Sequence, residues 1–318
     1  MNQLLVVSAS PHVHTSRTTS KCMWNVVIAL IPALLCALYY FGIGAALVTV
    51  TSVIGCVATE YLITRYMLGR ASTIANGSAI LTGLLLACNL PSNLPVWIVL
   101  IGAIVAIGIG KMAFGGLGCN IFNPALVGRV FLLISFPAQM TTWPLPLVNT
   151  WNYADASTGA TILGALKLGD MSVADVDILD KLMGMAGGSL GEVGSIALLI
   201  GLAYLLATKT ISWHIPVSIF ATVALFSWCV GANPVVELLS GGLLLGAIFM
   251  ATDYVTSPMC HRGMLLYGVL IGIITVVIRQ WGAYPEGMSF AILIMNGFTP
   301  LINKYIKPRK FGERKVSK

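Results

Sequence analysis

Apolar residues dominate this chain in long runs, which are separated by short polar segments and by one long polar stretch, residues 138–194. A helix that crosses a bilayer needs about 20 mostly apolar residues. The pattern therefore predicts an all-α polytopic membrane protein with about ten transmembrane helices, five on each side of the polar stretch. Several runs are shorter than the length that a membrane-crossing helix needs, which predicts tilted, broken or re-entrant helices. The runs are residues 22–41, 45–64, 77–90, 96–111, 124–137, 195–207, 215–230, 238–252, 264–278 and 288–302.

The two groups of runs also resemble each other in sequence. Residues 76–87, NGSAILTGLLLA, in the third run have a counterpart in residues 239–247, LSGGLLLGA, in the eighth. Five crossings leave the chain on the other side of the membrane from where it started. The second group of five therefore enters from the opposite side, which gives a 5+5 inverted repeat. Short, glycine-interrupted segments at matching positions of such repeats point to a binding site. The alternative is that these glycines only allow helices to pack closely.

The composition supports a membrane protein. Of the 318 residues, 57% are hydrophobic and 9% are charged, whereas about 25% are charged in soluble domains. The net charge of +7 does not indicate nucleic-acid binding, because seven basic residues are concentrated in residues 304–318. A basic tail after an apolar run is typical of a segment at the membrane surface. Residues 1–21 have no basic segment before their short apolar run, which predicts an exposed tail rather than a cleaved signal.

The basic residues also predict the orientation. With the N-terminus in the cytoplasm, fourteen of them fall on the inner side and three, Lys167, Lys181 and Arg279, on the outer side. Cytoplasmic loops are enriched in Lys and Arg, so we expect both termini inside and residues 138–194 outside. The predicted division is a tail of residues 1–21, a first repeat of residues 22–137, the outer segment 138–194, a second repeat of residues 195–303 and a basic tail of residues 304–318.

Four charged residues, Glu60, Arg129, Glu237 and Asp253, lie in or at the ends of apolar runs. A charge inside a bilayer is costly unless it is paired or hydrated, so such residues are candidates for function. Asp253 and Glu60 are our candidates for an ion path. The alternative for each is an interfacial position that keeps its carboxylate in water. Arg129 could neutralise a phosphate or an acid, or could extend its side chain to the membrane surface.

The sequence predicts no catalytic residue and no metal site in this chain. Its seven cysteines are scattered without a Cys-x-x-Cys pair, and its four histidines show no ligand spacing. If the chain takes part in redox chemistry, a bound cofactor must carry it.

The polar stretch contains a turn rich in hydroxyl groups and small residues, Asp155-Ala156-Ser157-Thr158-Gly159-Ala160-Thr161. Gly159 and Ala160 leave room for another molecule to approach the backbone, so the turn could carry a chemical group. The other interpretation is a helix N-cap, because Asp, Ser and Thr before the apolar run 162–168 are typical of a helix start. Local composition alone favours the cap.

Six stretches distributed in order over the chain are recognisable as a set: residues 8–12 (SASPH), 77–87 (GSAILTGLLLA), 115–126 (GGLGCNIFNPAL), 246–253 (GAIFMATD), 278–279 (IR) and 284–287 (YPEG). From about residue 8 to residue 314 the chain resembles the D subunits of the Rnf electron-transport complexes. It is also similar to the B subunits of the sodium-pumping NADH:quinone reductases. Those proteins usually have a longer N-terminal extension, so the Rnf assignment is favoured.

The resemblance implies a fold similar to the inverted repeat of urea transporters, and an FMN esterified through its phosphate to a threonine. The flavinylation motif of the family, Asp-x-x-Ser/Thr-Gly-Ala-Thr, stands here as residues 155–161. Thr161 is then the acceptor, and Asp155, Ser157, Thr158, Gly159 and Ala160 complete the motif. Ile162 replaces a proline of many relatives, which concerns the local turn more than the attachment. A noncovalent riboflavin near the interface of the repeats is also expected, at residues that the sequence does not identify.

The implied function is that of a membrane flavoprotein subunit in the bacterial cytoplasmic (inner) membrane, which couples electron transfer between ferredoxin and NAD to movement of sodium or protons. Expected partners are the A, B, C, E and G subunits of Rnf, a flavin transferase that acts outside the membrane, and lipid, but no nucleic acid. The chain would be one component of a translocase and not catalytic alone. The other hypotheses are a component similar to the B subunit of the quinone reductase, a small-solute channel with a urea-transporter-like fold, and a scaffold without a cofactor.

Overall fold

The computed structural model describes residues 18–69, 73–147, 158–159, 161–168, 178–185, 187–284 and 286–307. Asp155, Ser157 and Ala160 of the predicted motif therefore lie outside the described residues, and of Thr158 only the backbone is described. Helices make up most of the described chain, as the apolar pattern predicts.

The first helix, α1 (Thr19–Leu62), contains the first two predicted runs and reverses direction between them. A straight helix of its 44 residues would be about 66 Å long, roughly twice the thickness of the hydrocarbon core. Gly42 interrupts it with φ 58° and ψ −130°, a conformation that glycine adopts most readily. Ser20 at its start and Glu60 near its end both hydrogen-bond to residues 73–75. The two halves of α1 are therefore antiparallel.

Three shorter helices follow: α2 (Ser78–Cys88), α3 (Val96–Gly108) and α4 (Pro124–Ser135). A π turn lies at Ile63–Met67, and 3-10 turns lie at Ile74–Asn76 and Met112–Phe114. With 11 residues, α2 is about 16 Å long and too short to cross a bilayer by itself. It packs against α1, which also contacts α3. The predicted re-entrant or broken character of the third run is consistent with this short helix.

Small elements lie between the two groups of helices: α5 (Pro137–Met140), strands β1 (Trp143–Pro144) and β2 (Thr158–Gly159), α6 (Ile162–Leu168) and α7 (Ile178–Met183). The two strands are antiparallel, with Trp143 opposite Gly159 and Pro144 opposite Thr158. The chain then returns to the end of α2, where the amides of Leu190 and Gly191 donate to the carbonyls of Leu90 and Cys88.

The second group of helices comprises α8 (Ser195–Ala207), α9 (His214–Val230), α10 (Pro234–Leu239), α11 (Leu243–Leu245) with a π turn at Gly246–Met250, α12 (His261–Trp281) and α13 (Met288–Tyr305). The predicted run 238–252 is broken, because residues 240–242 separate α10 from α11. Gly242 precedes α11 in the left-handed conformation, with φ 63°. Gly77 precedes α2 in the same way, with φ 75°. Both short helices therefore begin at a glycine that supplies a positive φ.

Among the described residues, three helical segments are long and apolar enough to cross a bilayer alone: Thr19–Met67, Val96–Phe114 and His261–Trp281. Shorter apolar helices pack beside them, and fully buried residues such as Leu30, Leu86 and Ile98 form the core. Large apolar side chains remain exposed on the outside, among them Ile54 and Leu225. An extensive exposed apolar surface is favourable in lipid and unfavourable in water. The chain is a multi-pass membrane protein.

Candidate functional site

Thr161 lies between β2 and α6 and forms the start of that helix. Its Oγ1 accepts a hydrogen bond from the backbone N–H of Gly164 at 3.1 Å, which is the geometry of an N-cap. The residue is 5% exposed. The N-cap interpretation is therefore confirmed for Thr161 itself. A cap does not exclude chemistry at the same oxygen, since a substituted oxygen keeps a lone pair.

Two contacts hold α6 against the second group of helices. Leu163 is buried beside Gly241, where an added Cβ would lie 2.5 Å from Leu163 Cδ1. Lys167 Nζ donates to three carbonyls at the end of α12: to Arg279 at 3.0 Å, to Tyr284 at 3.5 Å, and to Gly282. The C-terminus of a helix attracts a cation because its last carbonyls are unpaired. The turn that bears Thr161 is thus fixed to the membrane helices.

Thr161 lines a cavity of about 220 Å³ among the described residues. Its wall is mostly apolar or aromatic, with one ion pair. The lining residues are Arg129, Leu133, Met140, Thr141, Trp143, Thr161, Gly164, Tyr284 and Glu286. The aromatic ring of Tyr284 stacks on that of Phe290, with centroids 5.3 Å apart. The cavity therefore joins α4, the segment after α5, the start of α6 and the loop before α13.

The charged pair of this cavity is Arg129 with Glu286. Arg129 is 5% exposed and donates through Nη2 to Glu286 Oε2 and through Nη1 to Ser289 Oγ. Within the described part of the chain, Arg129 Nε and Glu286 Oε1 are buried without a hydrogen-bond partner. The interpretation that Arg129 extends to the membrane surface is wrong, because Glu286 offers it a buried partner. The interpretation that it neutralises an acid is confirmed.

Glu286 lies in the loop between α12 and α13. Burial raises the pKa of its carboxyl, Arg129 opposes this shift, and the negative charge of Glu192 adds to it. Glu192 in turn faces Lys181 Nζ at 3.7 Å and accepts from the backbone amide of Gly241. The cavity of Thr161 therefore borders a wider set of buried charges.

A second buried pair joins Lys111, after α3, to Glu60. Lys111 Nζ lies 2.6 Å from Glu60 Oε2 and donates to Ser78 Oγ at 2.8 Å. Thr73 Oγ1 donates to the other oxygen of Glu60 at 2.7 Å. Glu60 is 1% exposed, so the interpretation of a water-exposed interfacial carboxylate is wrong for this residue. The pair lies at the start of α2.

A third pair joins Arg279, near the end of α12, to Glu237 of α10. Arg279 Nη1 lies 2.7 Å from Glu237 Oε2, and Nη2 donates to the carbonyl of Ser240 at 2.7 Å. Ser240 belongs to the segment that separates α10 from α11. The same combination thus occurs twice, here and at Lys111. In each case a basic residue near the C-terminal end of one helix pairs with an acid, and the pair lies at the start of a short helix.

Asp253 follows the π turn at Gly246–Met250 and lines a small cavity of about 60 Å³. Its Oδ2 accepts from Thr256 Oγ1 at 3.3 Å, and the side chain of Asn120 lines the same cavity. Lys111 and Ser78 line the same cavity. The two acids proposed for an ion path are therefore related through Lys111: Asp253 shares a cavity with it, and Glu60 pairs with it.

Sequence reasoning missed Glu286 and Lys167 as members of the site around Thr161. Glu286 is separated from Arg129 by 157 residues and Lys167 from Gly282 by 115, so no local pattern connects them. A faint signal for Glu286 was its place in the stretch YPEG at residues 284–287.

Comparison with known proteins gives a consistent result over the whole chain. A family model described as the NQR2, RnfD, RnfE family matches residues 6–312. The D subunit of the Na(+)-translocating ferredoxin:NAD(+) oxidoreductase complex of Acetobacterium woodii is 46% identical over 322 residues, with 100% of this chain and 99% of that protein covered. The D subunit of the proton-translocating ferredoxin:NAD(+) oxidoreductase complex of Clostridium ljungdahlii is 43% identical, with 98% and 97% covered. The D subunit of an ion-translocating oxidoreductase complex of Stutzerimonas stutzeri is 41% identical, with 93% and 92% covered.

Proposed function

Because the chain belongs to the NQR2, RnfD, RnfE family, we propose that it is the D subunit of an Rnf complex and takes part in ion-translocating electron transfer between ferredoxin and NAD. The observation that carries this proposal is the identity of 46% and 43%, over nearly the whole chain, to D subunits named for that activity. The chain works as one component of the oxidoreductase, with the A, B, C, E and G subunits of Rnf as its partners.

The proposed cofactor is an FMN linked through its phosphate to Thr161 Oγ1. Two observations support it: the full motif at residues 155–161, and a cavity beside Thr161 that contains a buried arginine with an unpartnered Nε. An arginine suits a phosphate group, so the residues present fit the cofactor. When bound, the flavin supplies transfer of one or two electrons.

The linkage requires a group transfer that a separate flavin transferase catalyses. With a flavin dinucleotide as donor, a bond would form between Thr161 Oγ1 and the flavin-side phosphorus, and the phosphoanhydride bond would break. The hydroxyl proton would go to a base of the transferase, and a nucleoside monophosphate would leave. No electrons are exchanged in this step, so the chain is only the acceptor.

The residues of this chain hold and orient the linked turn. Gly164 fixes the oxygen of Thr161 through its backbone amide, and Lys167 fixes α6 to the end of α12. Trp143 is buried in the cavity wall, where an apolar ring limits the entry of water. Tyr284 is partly exposed at the same cavity and offers an aromatic face near the surface.

The proposed architecture is ten membrane segments in a 5+5 inverted repeat. It is supported by the matching starts of α2 and α11, each at a left-handed glycine. It is also supported by the two pairs Lys111–Glu60 and Arg279–Glu237, since each lies beside the turn before one of these short helices. The proposed orientation, with both termini in the cytoplasm and the flavin turn outside the inner membrane, is supported by the count of basic residues.

The proposed ion path includes Asp253 and Glu60, and its support is the cavity that Asp253 shares with Lys111. The ion of this path is sodium or a proton, since the relatives at 46% and 43% identity are named for sodium and for proton translocation. The expected noncovalent riboflavin does not fit the cavity of Asp253, since about 60 Å³ is far below the ~300 Å³ at which small-molecule pockets usually begin.

Fluorescence of the denatured chain tests the proposed function. The full chain, produced with its flavin transferase, should give a band that fluoresces yellow under ultraviolet light on a denaturing gel, because a phosphodiester survives denaturation. Thr161→Ala should give a dark band. Thr141→Ala removes another threonine hydroxyl of the same cavity and should leave the band bright. A dark wild-type band, or a bright Thr161→Ala band, would disprove the flavin assignment.

A further inference from the structure

The cavity beside Thr161 is built around an ion pair whose partners are incomplete. We propose that Arg129 is the phosphate-binding residue of this cavity, and that Glu286 occupies its guanidinium group until a phosphate ester enters. The ligand class is a flavin phosphate ester. This inference rests on the proposed attachment at Thr161 and adds the residues that receive the charged end of the cofactor.

Arg129 has hydrogen-bond capacity that its present contacts do not use. A guanidinium has five N–H donors, and the described contacts use two of its nitrogens, one toward Glu286 and one toward Ser289. The third nitrogen, Nε, is buried without a partner within the described residues. A phosphate can accept two parallel hydrogen bonds from one guanidinium, which neutral groups cannot match in strength. Arg129 therefore has the unused donors that an anion would take.

The pair also lies at a place that favours an anion. Glu286 directly precedes Gly287, the residue before α13, and Ser289 lies in the first turn of that helix, which has no side-chain cap. The amides of a first helical turn lack internal partners and carry a partial positive charge. A cation held at such an end is favourable only if an anion lies with it. Glu286 supplies that anion now, and a phosphate would supply it equally well.

The carboxylate of Glu286 must take up a proton or move away when a phosphate enters. Two anions beside one guanidinium would repel each other, so one of them must lose its charge or move away. Burial already raises the pKa of the Glu286 carboxyl, so uptake of a proton there is easier than at an exposed acid. A protonated Glu286 can donate a hydrogen bond to the incoming phosphate. With a phosphodiester, which carries one negative charge, the cavity then keeps the same net charge before and after the exchange.

The volume of the cavity is consistent with a site for the phosphate end of the flavin ester. About 220 Å³ is below the ~300 Å³ at which pockets for whole small molecules usually begin. The cavity would therefore receive the phosphate and the atoms next to it, with Arg129 as the residue that holds the phosphate, and it is too small for the ring system as well.

Free FMN and riboflavin test the proposal directly, because they differ only by the phosphate. The full chain is produced without the flavin transferase, so that Thr161 stays unmodified, and the affinity for each flavin is measured by fluorescence titration. We expect the wild type to prefer FMN by tenfold or more, as charge-assisted hydrogen bonds imply. The double variant Arg129→Gln, Glu286→Gln, which changes no net charge, should reduce this preference to within about twofold.

Glu286→Gln alone has the opposite expected effect. It removes the competing carboxylate and leaves Arg129 in place, so the preference for FMN should rise above that of the wild type. A misfolded variant cannot produce such a gain. The matched control is Lys111→Gln, Glu60→Gln, which removes a different buried ion pair and should leave the preference for FMN unchanged.

The outcomes separate this inference from the proposed function. A wild type without preference for FMN, or a double variant that retains the preference, would overturn the role of Arg129. A fall of the preference in the Lys111, Glu60 control as well would also overturn it, since the effect would then follow from the loss of any buried pair. Failure of covalent attachment at Thr161 would instead appear as a dark wild-type band on the denaturing gel.

Discussion

At the scale of single residues, the glycines of the third run serve two different purposes. Gly77 supplies a positive φ before α2. Gly83 allows α2 to touch α1, because an added Cβ would lie 2.7 Å from Val53 Cα and 3.0 Å from the carbonyl oxygen of Ser52. Ser52 Oγ also donates to the carbonyl of Gly83 at 2.7 Å. For Gly83, the interpretation that glycine permits close helix packing is confirmed.

Gly83→Ala should therefore destabilise the protein by about 1–3 kcal/mol, since the backbone of α1 cannot move aside as a side chain can. The measurement is thermal unfolding of the purified chain in detergent, followed by tryptophan fluorescence. Gly108→Ala is the matched control, because its added Cβ would meet only Ile63 Cδ1 at 3.7 Å. Equal melting temperatures for the two variants would contradict the close contact of α1 with α2.

The site residues show what a sequence can and cannot predict. The prediction of Thr161 as the acceptor rests on a motif that is local and complete, and it stays a prediction. The roles of Arg129 and Glu60 were left open because their partners, Glu286 and Lys111, lie 157 and 51 residues away. A charge inside an apolar run indicates that some partner exists. It does not indicate which of the remaining charges is that partner.

At the scale of elements, the apolar runs predicted the positions of most helices, because the need for about 20 apolar residues in a bilayer acts on each segment separately. Two differences are that α1 contains both of the first two runs and that the structure divides the run 238–252 at residues 240–242. Arg279 explains how this break is tolerated. It donates to the carbonyls of Glu237 and Ser240, which a broken helix leaves without amide partners.

Arg279→Met should destabilise the protein by about 3–5 kcal/mol, because it leaves Glu237 as a buried charge without its partner. Arg279→Met combined with Glu237→Gln should recover part of this loss, since the uncompensated charge is gone. Urea or thermal unfolding in detergent compares the three proteins. If the double variant is as unstable as the single one, the unpaired charge of Glu237 does not cause the loss of stability. The loss then comes from the hydrogen bonds that Arg279 donates to the carbonyls.

At the scale of the whole molecule, orientation decides which side of the membrane residues 138–194, with the predicted flavin motif, face. The count of basic residues predicts that residues 138–194 are outside. In a Cys229→Ser background, the variant Ser172→Cys should react at position 172 with a membrane-impermeant maleimide added to intact cells. Cys119, which is exposed, should react only after the membrane is permeabilised. Labelling of Cys119 in intact cells, or protection at position 172, would reverse the predicted orientation.

The attachment of α6 has a consequence for the order of events during biogenesis. Thr161 is 5% exposed, and Leu163 and Lys167 hold the following helix against the second group of helices. If the proposed flavin transferase modifies this oxygen, it must reach Thr161 before α6 docks against the end of α12. Docking would then protect the proposed linkage from hydrolysis.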